Sequence, residues 1–237
     1  MEKNENSLDS TSRVGFWSAI LTAALAAAFF GIGLFGSSYT EGVKYPYVLT
    51  TIRPVDYVVW IPAFLLAPTF VVLLACIHTQ TREDKKVFSL VGLSFGIMYA
   101  ALVVSDFFIQ WTVVLPSILT DETNGLSLFS MYNPHGITLA IESLGYLVMD
   151  TALLFLAAVF DGKNRLERAT RWLFIGGFIS TVISFAVLSA AGNPIVVFEV
   201  VAVTINVIVL IVAGALLGFF FMRISSFHHD RVEIDST

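Results

Sequence analysis

The chain has one cysteine in 237 residues, and Cys76 lies inside an apolar run. An intrachain disulfide, a CxxC redox pair and Cys/His zinc spacing are thereby excluded. Charge is scarce as well: 13% of the residues are Asp, Glu, Lys or Arg, against roughly 25% in soluble domains. No basic cluster with interleaved aromatics occurs, so nucleic acid is not an expected partner. No Gly/Ser-rich or Pro-rich linker divides the chain, which leaves a single domain. The motifs of common chemistries are missing too. There is no GxSxG, HExxH or Walker A loop, and Gly31-Ile32-Gly33 sits inside an apolar run, where it says nothing about nucleotides. No serine and histidine share the spacing of an intramembrane protease, and no apolar run holds a histidine pair for haem. No cofactor is expected, the reading leans against an enzyme, and metal binding is left open.

What is plentiful is apolar surface, at 57% of the residues. A soluble domain of this length could not bury so much, so lipid is the expected solvent and partner. A membrane span needs about 20 apolar residues at 1.5 Å each to cross roughly 30 Å of hydrocarbon. Six runs qualify: 15–36, 57–78, 87–112, 136–160, 172–192 and 194–223. Helices are required, because an open strand leaves backbone groups unpaired in lipid and no dyad alternation marks a barrel. Residues 1–14 and 224–237 are read as tails around a transmembrane domain over 15–223. The first run is read as a retained span, because the segment before it is mixed in charge and the run exceeds the 7–15 residues of a signal-peptide core. The expected fold is therefore an all-α, polytopic membrane protein of six transmembrane helices.

Direction follows from the cations. With the N-terminus inside, the inner segments hold Lys3, Arg13, Arg82, Lys85, Lys86, Lys163, Arg165, Arg168, Arg171, Arg223 and Arg231, whereas the outer loops hold only Lys44 and Arg53. This bias sets both termini in the cytoplasm of a cell membrane. Asn133-Pro134 and Asn193-Pro194 read as N-caps followed by a proline in the first helical turn. Ala27 with Gly31, and Gly177 with Ser180 and Ser184, read as small-residue seams where helices approach closely. Trp17, Trp60, Trp111 and Trp172 read as interfacial anchors.

Against this background the carboxylates stand out. Asp106 lies six residues before the end of the third run, Glu142 six past the start of the fourth, and Glu199 five past the start of the sixth. At 1.5 Å per residue, all three fall about 8–9 Å below the outer helix ends. Glu142, Tyr146 and Asp150 repeat at i, i+4 and i+8, one stripe on one helix face. Asp106 shares a face with Gln110, and Glu199 shares one with Asn206. A charged group facing lipid at the bilayer centre costs at least about 2.5–3.5 kcal/mol, so these stripes are expected to face one another. The expected object is an outward-facing acidic cavity, with Asp150 and Asn206 as a deeper relay, Tyr146 as an orienting hydroxyl and His135 at the mouth. No Lys or Arg occurs at that height, so the acids must hold protons, share them in pairs or bind a cation.

The segment Tyr132-Asn133-Pro134-His135-Gly136, followed by Glu142 and Gly145-Tyr146, resembles multi-pass prokaryotic membrane proteins of unknown function. That resemblance implies six helices and supplies no activity. The functional expectation is a transporter-like binder of a small cationic or polar ligand, or a proton relay; since six spans are few for a carrier, a homodimer would complete it. The alternatives are an intramembrane enzyme using the acids with His135, and a non-catalytic membrane subunit or sensor in which the acids only join helices.

Overall fold

The computed structural model describes the backbone of residues 2–35, 58–122, 124–131, 133 and 135–235. The expected boundaries at Gly36 and Tyr57, the outer cations Lys44 and Arg53, and Tyr132 and Pro134 lie outside the described residues. The main elements among those described are all helices: α1 (Glu2–Phe35), α2 (Trp60–Gln80), α3 (Lys86–Ile109), the short α4 (Leu115–Leu119), α5 (Ile137–Ala157), α6 (Arg165–Ala190) and α7 (Ile195–Asp235). Among the described residues, six stretches are long and apolar enough to cross a membrane: Ser10–Gly33, Trp60–Gln80, Glu83–Leu119, Ile137–Ala157, Arg165–Ala190 and Ile195–Ile224. Their outer faces are apolar. Leu65, Ile97, Leu144 and Ile183 all point away from the bundle and are about half exposed, a surface that soluble monomers rarely present over such an extent.

Neighbouring helices close a ring in which α1 packs on α2, α2 on α3, α3 on α5, α5 on α7 and α7 back on α1, while α6 sits against α5 and α7. Position in the ring shows in the burial. Twelve residues of α5 are buried, whereas α6 buries only Thr170, Phe174, Gly177 and Thr181. That spacing of four, three and four is the inner stripe of a helix whose other faces lie outside the bundle.

Several local expectations change. The third span does not end at Thr112: a π-helical turn, Gln110–Val114, carries it into α4 and on to Leu119. The depth of Asp106 below its helix end is therefore greater than an end at Thr112 implies. The helix that carries the fifth span starts at Arg165, ahead of the expected span start at Trp172, because a capping pair begins it. Asn164 accepts a hydrogen bond from the Glu167 backbone N–H at 2.9 Å and donates to the Glu167 carboxylate at 2.9 Å. Asn133 does not cap α5, whose N-cap is Gly136. Its side chain instead accepts from the His135 N–H and donates to the Ser127 carbonyl, fastening the preceding loop. Asn193 likewise donates to the Leu188 carbonyl at the end of α6. Trp60 is no surface anchor; it is 1% exposed and stacks on Phe107 with ring centroids 6.1 Å apart.

The close helix approaches also lie elsewhere than expected. A Cβ added at Gly31 would meet nothing within 4 Å, whereas one at Gly214 would lie 2.5 Å from the Ala19 carbonyl oxygen and 2.6 Å from the Ala23 Cβ. The backbones of α1 and α7 touch there. On α6 the seam is Gly177 with Thr181, while Ser180 is exposed.

The basic residues gather at one end of the bundle. The loop at 81–85 meets the loop at 158–164 through Asp161, which pairs with Arg82 at 3.0 Å, Lys163 at 3.2 Å and Lys85. Lys85 also donates to the Val159 carbonyl at 3.2 Å. Hydrogen bonds from Lys85 and Lys163 hold the Asp161 carboxyl at about 2, below its ordinary value. Gln80 donates to Ser12, and Phe221 covers Gly15, so Arg13 and Arg223 belong to this same end.

Candidate functional site

The site is built on the side of α5 that faces α3 and α7. Helical spacing puts Glu142, Tyr146 and Asp150 on one stripe, and burial follows: they are 1%, 6% and 0% exposed. The Tyr146 hydroxyl donates to Glu142 Oε1 at 3.0 Å. From α7, the Glu199 carboxyl lies beside that of Glu142. Asp106, from the last turn of α3, lies within electrostatic reach of both. Carboxyls from three helices, α3, α5 and α7, thus lie within reach of one another's charge. Asp106 Oδ2, Glu142 Oε2 and Glu199 Oε2 are buried and accept no hydrogen bond from a described N–H or O–H group. Buried polar atoms are nearly always partnered, so each of these oxygens is open to a proton, a water or a cationic ligand. Among the described residues, no three His, Cys, Asp or Glu side chains are grouped to hold a metal ion.

Asp150 and Asn206 form a second, separate constellation. Asn206 Nδ2 donates to Asp150 Oδ2 at 3.3 Å and to the Ala202 carbonyl at 3.0 Å. The Thr181 hydroxyl of α6 faces the same carboxyl. Neither Asp150 Oδ1 nor Thr181 Oγ1 closes a hydrogen bond, however. Gly177 leaves room beside Asp150 Oδ1, which would lie 3.8 Å from an added Cβ. Three helices therefore meet around one fully buried acid.

Gln110 and His135 are placed differently. Gln110 is fully buried, but its amide nitrogen is spent on the chain itself: it donates to the Phe129 carbonyl at 2.6 Å and to Thr138 Oγ1 at 3.4 Å. Thr138 donates to that same carbonyl at 2.8 Å. The pair ties the short 3-10 turn Leu126–Phe129 to α3 and α5. His135 is exposed at the start of α5, where its backbone N–H binds Asn133.

A cavity of about 410 Å³ adjoins the acids near the Leu126–Phe129 end. Glu142 and Glu199 line it, but most of its wall is apolar: Phe29, Phe30 and Gly33 from α1, Trp60 from α2, and Val196, Val200 and Val203 from α7. Asp106, Asp150, Asn206, Tyr146, Gln110 and His135 are not among its lining residues. This cavity is an apolar chamber with a carboxyl pair in its wall, unlike the expected funnel, acidic above and polar below.

Three participants gave little sign in the sequence. Tyr99 of α3 is 2% exposed and lies within electrostatic reach of Glu142 and Tyr146. Thr138 and Thr181 were hidden because threonine is ordinary in membrane helices, where it bonds its own backbone. The apolar wall carried no signal at all, since a cavity-lining valine and a lipid-facing one read alike. Comparison with protein-family models, with curated proteins and with solved structures returns no match. What the chain itself establishes is a helical protein with six helices able to span a membrane.

Proposed function

We propose that the protein is a multi-pass cell-membrane protein with both termini in the cytoplasm, and that it binds a small cationic or polar ligand, or relays protons, at Asp106, Glu142 and Glu199. The single observation behind the functional part is that three buried carboxyls from three helices lie within reach of one another's charge, their second oxygens without a donor among the described residues. The third, fourth and sixth spans contain no Lys or Arg at that level, and buried carboxyls without a basic partner mark ion or substrate paths more often than they mark joints. Tyr146 orients Glu142 through its hydroxyl. Asp150, two turns further along α5 and bonded to Asn206, is the inner station of the relay. The spent amide of Gln110 gives that residue a supporting role in this scheme, as a brace for the loop over the site.

Orientation is supported by the gathering of Arg13, Arg82, Lys85, Lys86, Lys163 and Arg223 at one end, since cytoplasmic segments are enriched in such residues. A reporter fused after Arg231 should read cytoplasmic, and a thiol tag placed at Asp121 should react with an impermeant reagent from outside. An external C-terminus would overturn the orientation. The relay itself is tested by Asp150→Asn in proteoliposomes.

A further inference from the structure

We propose that the chamber between α1 and α7 binds a lipophilic amine, a molecule with an apolar body and one ammonium group, admitted sideways from the bilayer. The proposal rests on the carboxyl-site reading above and names its ligand class. The two helices touch where Gly214 meets Ala19 and Ala23, and again where Phe221 covers Gly15. Toward the opposite end a gap opens beside α1: among the described residues, nothing lies within 4 Å of a Cβ added at Gly31 or Gly33. In the gap, Phe29, Phe30 and Gly33 of α1 and Val196, Val200 and Val203 of α7 wall the chamber. Val200 is 62% exposed, so the wall continues to the apolar outer surface of the bundle.

Two properties of the chamber select the ligand. Its volume of about 410 Å³ falls within the roughly 300–1,000 Å³ of small-molecule sites, and its wall is apolar with three aromatic rings, Phe29, Phe30 and Trp60, which suit an organic cation. Glu142, 1% exposed, and Glu199, 8% exposed, both line it, and Oε2 of each lacks a donor. A small hydrophilic cation would satisfy the carboxyls and leave the apolar wall unused. A neutral acyl chain would fill the wall and leave the carboxyl oxygens without donors, at the cost of burying polar groups unpaired. An amphiphile with an ammonium head satisfies both. It would enter between α1 and α7, tail along the valines and head toward Glu142 and Glu199.

The test is calorimetric titration of the full chain in lipid nanodiscs with octylamine, octanol and ethylamine, using protein-free nanodiscs as the partition blank. Octylamine should bind saturably, one per chain, and at least about tenfold more tightly than octanol or ethylamine, because a buried charge pair and the apolar wall both contribute. The double variant Glu142→Gln/Glu199→Gln should bring octylamine down to the level of octanol. Gly33→Leu, made where nothing lies within 4 Å, should keep the fold and block octylamine by filling the chamber. Octanol binding as tightly as octylamine, or octylamine binding unchanged in Gly33→Leu, would overturn the proposal. Ethylamine binding as tightly as octylamine, with loss in the double glutamine variant, would overturn the lipophilic ligand while sparing the cation-binding reading. Amine binding that ignores both glutamates would overturn the two together.

Discussion

Gly214→Ala should cost about 2 kcal/mol of stability, within the range for an overpacked core and the reverse of what this substitution does at an unconstrained helix position. Replacing glycine by alanine in a helix interior ordinarily gains roughly 0.5–1 kcal/mol, because glycine has more backbone freedom to lose on folding. At Gly214 the added Cβ would lie 2.5 Å from the Ala19 carbonyl oxygen and 3.2 Å from the Ala23 backbone N. Those are backbone atoms of α1, which cannot rotate away as a side chain can. The helices must separate, and the separation loosens the packing of Phe221 over Gly15 and of Ile20 beside Gly218. Gly31→Ala is the matched control, since its new Cβ meets nothing within 4 Å; it should hold or raise stability. Thermal unfolding of both variants in one detergent gives the comparison. A stabilised Gly214→Ala would mean that α1 and α7 do not cross there.

The second large effect is expected at Asp150. Protons driven down an imposed pH gradient, followed with pyranine trapped in proteoliposomes, should pass at the protein-free rate in Asp150→Asn. The same variant should retain octylamine binding within about twofold, since Asp150 does not line the chamber and distant sites are nearly independent. Folding should survive as well. Asparagine keeps an oxygen to accept from Asn206 Nδ2, the bond seen at 3.3 Å to Asp150 Oδ2, and a hydrogen bond of this kind contributes about 1 kcal/mol. What asparagine cannot do is take up and release a proton. Equal loss of flux and binding, or no loss of either, would show that Asp150 acts only as a joint between α5, α6 and α7.

Particular elements show how far sequence reasoning reaches in a protein of this kind. The spans were legible because lipid allows only helices and demands a minimum length; their ends were less so, because a capping pair such as Asn164 with Glu167, or a π turn at Gln110–Val114, overrides the point where hydropathy changes. The stripe of Glu142, Tyr146 and Asp150 was legible because helical period alone aligns it. That Glu199 and Asp106 lie within reach of Glu142's charge accords with the polar cost of facing lipid. The separation of Asp150 with Asn206 and Thr181 into a second cluster could not be, because it depends on which helix stands opposite. The same ignorance of partners misplaced the seams. Ala27 with Gly31 and Ala19 with Ala23 are equally plausible small-residue faces of one alanine-rich helix, and only α7 decides between them. Tyr99 escaped notice for a related reason: an aromatic on a membrane helix has no period that distinguishes a site from a core.

The claim at the centre of this account is that Asp106, Glu142 and Glu199 behave as one unit. Infrared difference spectroscopy of their carboxyl C=O bands across a pH titration measures this directly, with Glu142→Gln, Glu199→Gln and Asp106→Asn used to assign each band. If the acids form one site, Glu142→Gln removes its own band and also shifts the position and titration of the Glu199 and Asp106 bands, because each senses the charge of its neighbours. Glu199 and Asp106 bands that titrate unchanged in Glu142→Gln would contradict the account.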